Sequence, residues 1–127
     1  MHSHPNAFAD QWAAAWNAHD IEAVLSHFHD NATFTSPFAR RLLPDTGGRL
    51  VGKPAIREYW ATGMPLIPDL HFTIEAVFAG VDHLVILYTN QRGVRVSELL
   101  KFEGDLVIEG HGTYPPDLAN PTGSTVG

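Results

Sequence analysis

The sequence has no cysteine, which excludes disulfide staples, thiol nucleophiles and Cys-ligated zinc together. Basic charge is scarce as well. Eight Lys and Arg stand against 14 Asp and Glu, a formal charge of −6. A nucleic-acid binder needs a positive footprint, so this balance argues against that class. No apolar run approaches the roughly 20 residues of a membrane span. The opening stretch, Met1 to Pro5, lacks the basic and apolar regions of a secretory signal. Internal repeats and low-complexity segments are missing too. The expectation is a cytoplasmic protein with neither nucleic acid nor membrane as a partner. What is present suffices for one core: of 127 residues, 44% are apolar and 10% aromatic. A domain of this length buries roughly two-thirds of its unfolded surface. One domain over residues 1–127 is expected, with its core at about residues 6–115.

Periodicity divides the chain in two. From Asn6 to Ala18 the apolar positions Phe8, Trp12, Ala15 and Trp16 recur at helical spacing, and Pro5 suits the first position of that helix. Asn17 to Asp20 breaks it. Asp20 reads as the N-cap of a second helix, with Ile21, Val24, Leu25 and Phe28 on its buried stripe and Asp30-Asn31 at its end. Ala32 to Thr35 is a short alternating strand. Pro37 to Gly52 reads as a long loop, of a length often used for lids and binding loops. A third helix starts at Pro54, carries Ile56, Tyr59 and Trp60, and stops near Gly63 to Pro65. The period then changes to two. Residues 70–78, 83–91, 94–102 and 106–114 are β-rich runs separated by hairpin-length turns. Helices followed by an antiparallel meander make an α+β arrangement. The Pro-, Gly-, Thr- and Ser-rich stretch at 116–127 reads as a flexible tail.

The segment Trp12-Ala-Ala-Ala-Trp16-Asn-Ala-His-Asp20-Ile-Glu-Ala-Val24, followed by Asp30-Asn-Ala-Thr-Phe34, resembles the opening of the nuclear transport factor 2-like superfamily. Its SnoaL-like cyclase and ketosteroid isomerase branches match best. Gly52-Lys-Pro-Ala-Ile56-Arg-Glu-Tyr-Trp60 is similar to that family's third helix, and Phe102-Glu-Gly-Asp-Leu-Val-Ile108 to its final hairpin. The resemblance covers about residues 7–115. It implies a cone-shaped fold: a strongly curved antiparallel (mixed) sheet wrapped around three N-terminal helices, with a deep apolar pocket inside. It also implies a homodimer through the convex face of the sheet. No single activity follows, because the fold hosts isomerases, dehydratases, epoxide hydrolases, cyclases and non-catalytic carriers. The acid–base residues of these branches are replaced here. The first-helix tyrosine of ketosteroid isomerases is Trp12, their catalytic aspartate is Ser36 ahead of Pro37-Phe38, and their second acid falls near Arg95. The late carboxylate of the SnoaL-like cyclases falls at Thr113 to Pro115. The Arg-x-Asp pair and late Asp of epoxide hydrolases fall on Tyr88-Thr-Asn90 and Thr113.

What can still carry chemistry follows from strand alternation, since side chains two apart share a face. Glu109, His111 and Thr113 lie opposite Ile108, Gly110 and Gly112. If the first set points into the cone, His111 is the candidate general base, with an ordinary pKa close to physiological pH. A histidine hydrogen-bonded in a half-buried sheet is the alternative. Gly110 and Gly112 point to a close backbone approach or a bulge. Glu98 alternates with Val94, Val96 and Leu100. A carboxylate on an apolar face needs a partner or a raised pKa, which suits an acid–base or orienting role beside His111. A salt bridge to Arg95 or Lys101 on an exposed strand is the alternative. Tyr88 and Asn90 share a face with Leu84 and Ile86 and can hold a substrate carbonyl or hydroxyl, with Thr113 as a further contact. Trp16, Phe34, Tyr59 and Trp60 would line the pocket and favour a flat or hydrophobic ligand. His27 and His29, two residues apart at a helix end, face different ways, and His2 and His4 lie in a terminus, so no metal is expected. Arg40, Arg41 and Arg49 read as a solvated loop, or as guides for an anionic ligand at the mouth.

Two functions remain. The first is a cofactor-independent enzyme of isomerase, dehydratase, cyclase or hydrolase type, acting on a small hydrophobic carbonyl or hydroxylated compound. The second is a carrier that uses the same pocket without turnover.

Overall fold

The structure, a computed structural model, describes residues 4–119. The first helix, α1 (Pro5–Asn17), starts at Pro5 and buries Phe8, Trp12 and Trp16 on one stripe. At its end His19 takes a left-handed backbone with φ of 56°, and the Asp20 carboxylate accepts from the Ala23 N–H to cap α2 (Ile21–Leu25). The second helix is shorter than its apolar stripe suggests. Phe28 is buried, but as the first residue of β1 (Phe28–Thr35). From there the backbone is taken up by parallel pairing with the last strand, β6 (Leu106–Thr113), which a continuing helix would forbid.

The expected loop at 37–52 is also structured. The Ser36 hydroxyl accepts from the Phe38 N–H across Pro37, so a short helix, α3 (Pro37–Leu42), begins there. A 3₁₀ turn (Pro44–Thr46) leads to β2 (Arg49–Val51), which pairs antiparallel with β1. Then come α4 (Lys53–Gly63) and a second 3₁₀ turn (Met64–Leu66). Leu70 to Phe72 do not open the next strand. The Asn17 side chain accepts from Phe72 N at 2.7 Å and donates to Phe72 O at 3.0 Å, while His19 Nε2 lies 3.0 Å from Leu70 O. The end of α1 thus occupies those backbone groups, and β3 (Thr73–Ala79) begins only after them.

With β4 (His83–Thr89) and β5 (Arg95–Glu103) the strands form one curved sheet in the order β2-β1-β6-β5-β4-β3. It is antiparallel except at β1 and β6, hence mixed, as the cone requires. Helix α1 packs against β3 and α4 against β1. Leu84, Ile86 and Tyr88 of β4 lie opposite Leu100, Glu98 and Val96 of β5, and all six are buried on the inner face. Aromatic edges lock the helices to one another and to that face: Trp16 on Trp60 at 4.9 Å, Phe28 on Trp60 at 5.4 Å and Phe8 on Phe102 at 5.0 Å between ring centres. Each such ring, fully buried, contributes roughly 1.5–3 kcal/mol. Where a flexible tail was expected, Pro116–Ala119 form a turn of helix, α5. The rest of that stretch, 120–127, and His2 lie outside the described residues. Among the described residues no helix is long and apolar enough to cross a membrane.

Candidate active site

The site is built on the inner face of β6, which has almost no side chains. Gly110 faces Phe34 of β1 and Leu100 of β5. A Cβ at Gly110 would stand 2.9 Å from Phe34 Cδ1, so the glycine lets the Phe34 ring lie across the strand. Gly112 faces Glu98, and a Cβ there would be 3.4 Å from Glu98 Oε1 and 3.8 Å from Ser36 Oγ. The close approach expected of the two glycines therefore falls inside the cone, and it leaves space above the Glu98 carboxyl.

That space is a cavity of about 530 Å³, within the roughly 300–1,000 Å³ typical of small-molecule sites. Its walls are aromatic, with Trp16, Phe34, Trp60 and Phe72. Phe72 is held in place by the Asn17 clamp and lies 4.3 Å from the Tyr88 ring, centre to centre. Glu98, Ser36, Asn90, Gln91 and the three phenols of Tyr59, Tyr88 and Tyr114 supply polar groups. The rim carries Phe38, Leu66, Arg41 and Arg92.

Glu98 is 5% exposed, and its partner is the Tyr88 hydroxyl, which donates to Oε1 over a long 3.5 Å, rather than a cation. Burial pushes its pKa up to about 8, against a small downward pull from Tyr88. At neutral pH this carboxyl is mainly a neutral acid. Burial pushes the Tyr59 phenol up to about 12, with a hydrogen bond to Ser36 acting the other way. Burial also raises Tyr88 and Tyr114, and the Glu98 charge adds to both. The phenols thus stay protonated and can donate to an oxygen of a bound molecule. A protonated acid among phenols can hydrogen-bond a carbonyl or hydroxyl oxygen. Once ionised, the same carboxylate can remove a proton from carbon next to a carbonyl.

The structure brings Glu98, Tyr88, Asn90, Trp16, Phe34, Tyr59 and Trp60 to this cavity. Asn90 is partly committed, because its Oδ1 accepts from the N–H groups of Arg92 and Val94 in its own turn. His111 and Thr113 are placed elsewhere, which corrects the expected geometry. In the register, His111 faces Leu99 and Thr35 on the outer side of the sheet, the side opposite Glu98 and Gly112. Its Nδ1 lies 2.6 Å from Thr35 Oγ1 and its Nε2 3.3 Å from Glu109 Oε1. The Thr113 hydroxyl donates to Ser97 O at 2.6 Å, also outside. Neither side chain can orient, or be oriented by, Glu98 through the sheet. The alternative of a Glu98 salt bridge to Arg95 or Lys101 also falls, since Arg95 pairs with Glu75 and Lys101 with Glu109. His27 packs edge-on against Phe8 and His29 approaches Glu103. Among the described residues no three His, Asp or Glu side chains gather into a metal-binding group.

Sequence reasoning missed Tyr114, Phe72 and Arg92 as cavity residues and took Ser36 only as a lost acid. Tyr114 was within reach of alternation, because it stands two residues beyond Gly112. Arg92 was hidden in a turn. Of the three loop arginines, only Arg41 lines the cavity.

Comparison with protein families matches the SnoaL-like domain over residues 9–123. No curated protein matches the chain. Among solved structures, a SnoaL-like protein of unknown function from Burkholderia thailandensis is similar, at 35% identity and a TM-score of 0.84 over 91% of this chain and 97% of that one. TerC co-crystallized with polyporic acid is similar at 18% identity and 0.73, over 89% and 93%. A protein with a ketosteroid isomerase-like fold from Catenulispora acidiphila, in complex with trimethylamine, is similar at 21% identity and 0.68, over 87% of each chain.

Proposed function

The chain belongs to the SnoaL-like domain family of the nuclear transport factor 2-like fold, and on that footing we propose that it is a cofactor-independent enzyme that moves a proton with Glu98. Its substrate is a small hydrophobic carbonyl or hydroxylated compound held among Trp16, Phe34, Trp60 and Phe72, with an oxygen at the Glu98 and tyrosine end. The reaction is of the isomerase, dehydratase or cyclase type, in which a carbon-bound proton is lost or shifted. One observation carries this reading: a carboxyl buried in an aromatic cavity, without a cationic partner, beside space that a ligand can fill. A buried ionisable group of this kind costs stability, and pKa shifts of this origin concentrate at reacting sites. A homodimer through the outer face of the sheet belongs to the same proposal.

Non-catalytic binding is the second reading. Among the described residues Glu98 is the only carboxylate lining the cavity, so no second carboxyl is at hand to act as its acid–base partner.

The test is hydrogen–deuterium exchange next to the carbonyl of aryl ketones and cyclic diketones in D₂O, followed by NMR between pH 5 and 9. The wild type should exchange faster as pH rises and level off above about 8, where Glu98 is ionised. Glu98→Gln, folded by circular dichroism, should be slower by roughly 10²–10⁴. Compounds that bind without exchange would leave the carrier reading in its place, and a Glu98→Gln variant with the full rate would show that another group moves the proton.

A further inference from the structure

A smaller recess of about 60 Å³ opens off the rim of the cavity. The two share Phe38, Arg41, Asn90, Arg92 and Tyr114, so the recess adjoins the outer end of the cavity at those side chains. At roughly 10–15 Å³ for each water held, the recess has room for a carboxylate-sized group. Among the described residues, the charged ones lining the two spaces are Arg41 and Arg92 at the rim and Glu98 inside. In a chain with 14 acidic and 8 basic residues, the rim has the sign opposite to the whole.

Arg41 is held in position. Its guanidinium donates to Leu118 O of α5 and lies 5.6 Å from the centre of the Phe38 ring. A guanidinium has five N–H donors in a planar fork, so the bond to Leu118 leaves others for an anion. The Arg41 side chain lines both the cavity and the recess, as Tyr114 does. Glu98 sets the opposite preference at the inner end. A neutral oxygen function suits a protonated acid among phenols, whereas an anion there would meet a carboxyl that itself ionises as pH rises.

We infer that the ligand is an apolar ring compound bearing an anionic oxygen group, a carboxylate or an ionised phenol or enol, seated between Arg41 and Arg92 at the rim. Its neutral carbonyl or hydroxyl points to Glu98, and its ring lies among the aromatic walls. The inner end of this orientation rests on the proposed function; the seat of the anion does not require turnover. Arginine suits the task, because its fork matches a carboxylate with two parallel hydrogen bonds.

The probe pair is 2-naphthoate and its neutral counterpart 2-naphthamide, titrated calorimetrically at pH 7 into wild type, Arg41→Gln, Arg92→Gln, the double variant and Glu98→Gln. Wild type should bind the naphthoate at least tenfold more tightly than the amide, with a ratio that shrinks as salt is added. Each single arginine variant should lower the ratio severalfold and the double variant should bring it to about one, with amide binding unchanged. Arg92→Gln keeps the inference testable should Arg41→Gln loosen α5. Glu98→Gln should keep the ratio even where it abolishes exchange, so a failure of the proposed chemistry and a failure of the anion seat read differently. Equal binding of the two probes by wild type, an unchanged ratio in the double variant, or no binding of either at millimolar concentration would overturn the inference.

Discussion

Glu98 of β5 and Glu109 of β6 lie on opposite faces of neighbouring strands, and the pair shows how a sheet assigns chemistry. Glu98 points inward, 5% exposed, with a phenol as its partner. Glu109 points outward, its side chain 43% exposed, 3.3 Å from His111 and 3.9 Å from Lys101. The residue type is the same and the strands are hydrogen-bonded neighbours. Outside, water and cations surround the charge, and such pairs contribute little. Inside, desolvation acts almost alone and the carboxyl keeps its proton. The pleat decides which glutamate is a solvated surface group and which is a reactive acid.

The most direct way to break this contrast is to follow stability with pH. The folded-state pKa of Glu98 is raised, to about 8 from an ordinary 4.5, so the folded protein holds a proton that the unfolded chain releases. Its contribution is fully present below pH 4.5 and is lost as pH rises through 8. Relative to Glu98→Gln, the wild type should therefore lose on the order of 4–5 kcal/mol across that window. Urea denaturation at pH 4.5, 6, 7 and 8.5 checks it. A constant difference between the two proteins would mean that Glu98 is hydrated in solution. Glu109→Gln should show no such window.

The glycines sharpen the contrast along β6. At Gly110 an added methyl would meet Phe34 Cδ1 at 2.9 Å, and that ring is backed by Trp60 at 5.5 Å and Tyr59 at 6.4 Å between centres. Gly110→Ala should cost about 1–3 kcal/mol through overpacking. At Gly112 the nearest atoms stand at 3.4 and 3.8 Å, an ordinary contact. Gly112→Ala should leave stability within about 0.5 kcal/mol while placing its methyl in the space beside Glu98, so ligand binding should weaken in a folded protein. Thermal melts of both variants with naphthamide titrations separate the two effects. Equal destabilisation by both would contradict the difference in clearance.

These same glycines explain what the sequence could and could not say. On β4 and β5 the alternation is legible, because Leu84, Ile86, Val96 and Leu100 mark the inner face and carry Tyr88 and Glu98 with them. On β6 the inner positions 110 and 112 have no side chains, so hydropathy has nothing to read there. The polar set Glu109, His111 and Thr113 then attracted the chemistry to the wrong side. The motif at Trp12 to Val24 and the helix at Ile56 to Trp60 led to the right fold. Local length was harder to read: Phe28 fits a helical stripe and a strand start equally well, and only pairing with β6 decides. The short helix that Ser36 caps was not read, because it lies in a stretch rich in Gly, Arg and Pro that reads as a loop.

The smallest expected effect is at His111. A general base on the reacting face would make His111→Ala catastrophic for turnover. On the outer face the ring has Thr35 and Glu109 as its hydrogen-bond partners among the described residues, at 2.6 and 3.3 Å, with 27% of the side chain exposed. Removing it takes away one short hydrogen bond and one partly solvated contact with Glu109, worth about 1–2 kcal/mol together. Water can reach the groups left behind. His111→Ala should therefore keep the exchange rate, its pH profile and the naphthoate preference of the wild type, and should melt within a few degrees of it. The informative control is Glu98→Gln in the same assays, because the two side chains sit on opposite faces of adjacent strands. A His111→Ala protein that folds normally but loses exchange would mean that the outer face takes part in the reaction, and the division between the two faces would have to be abandoned.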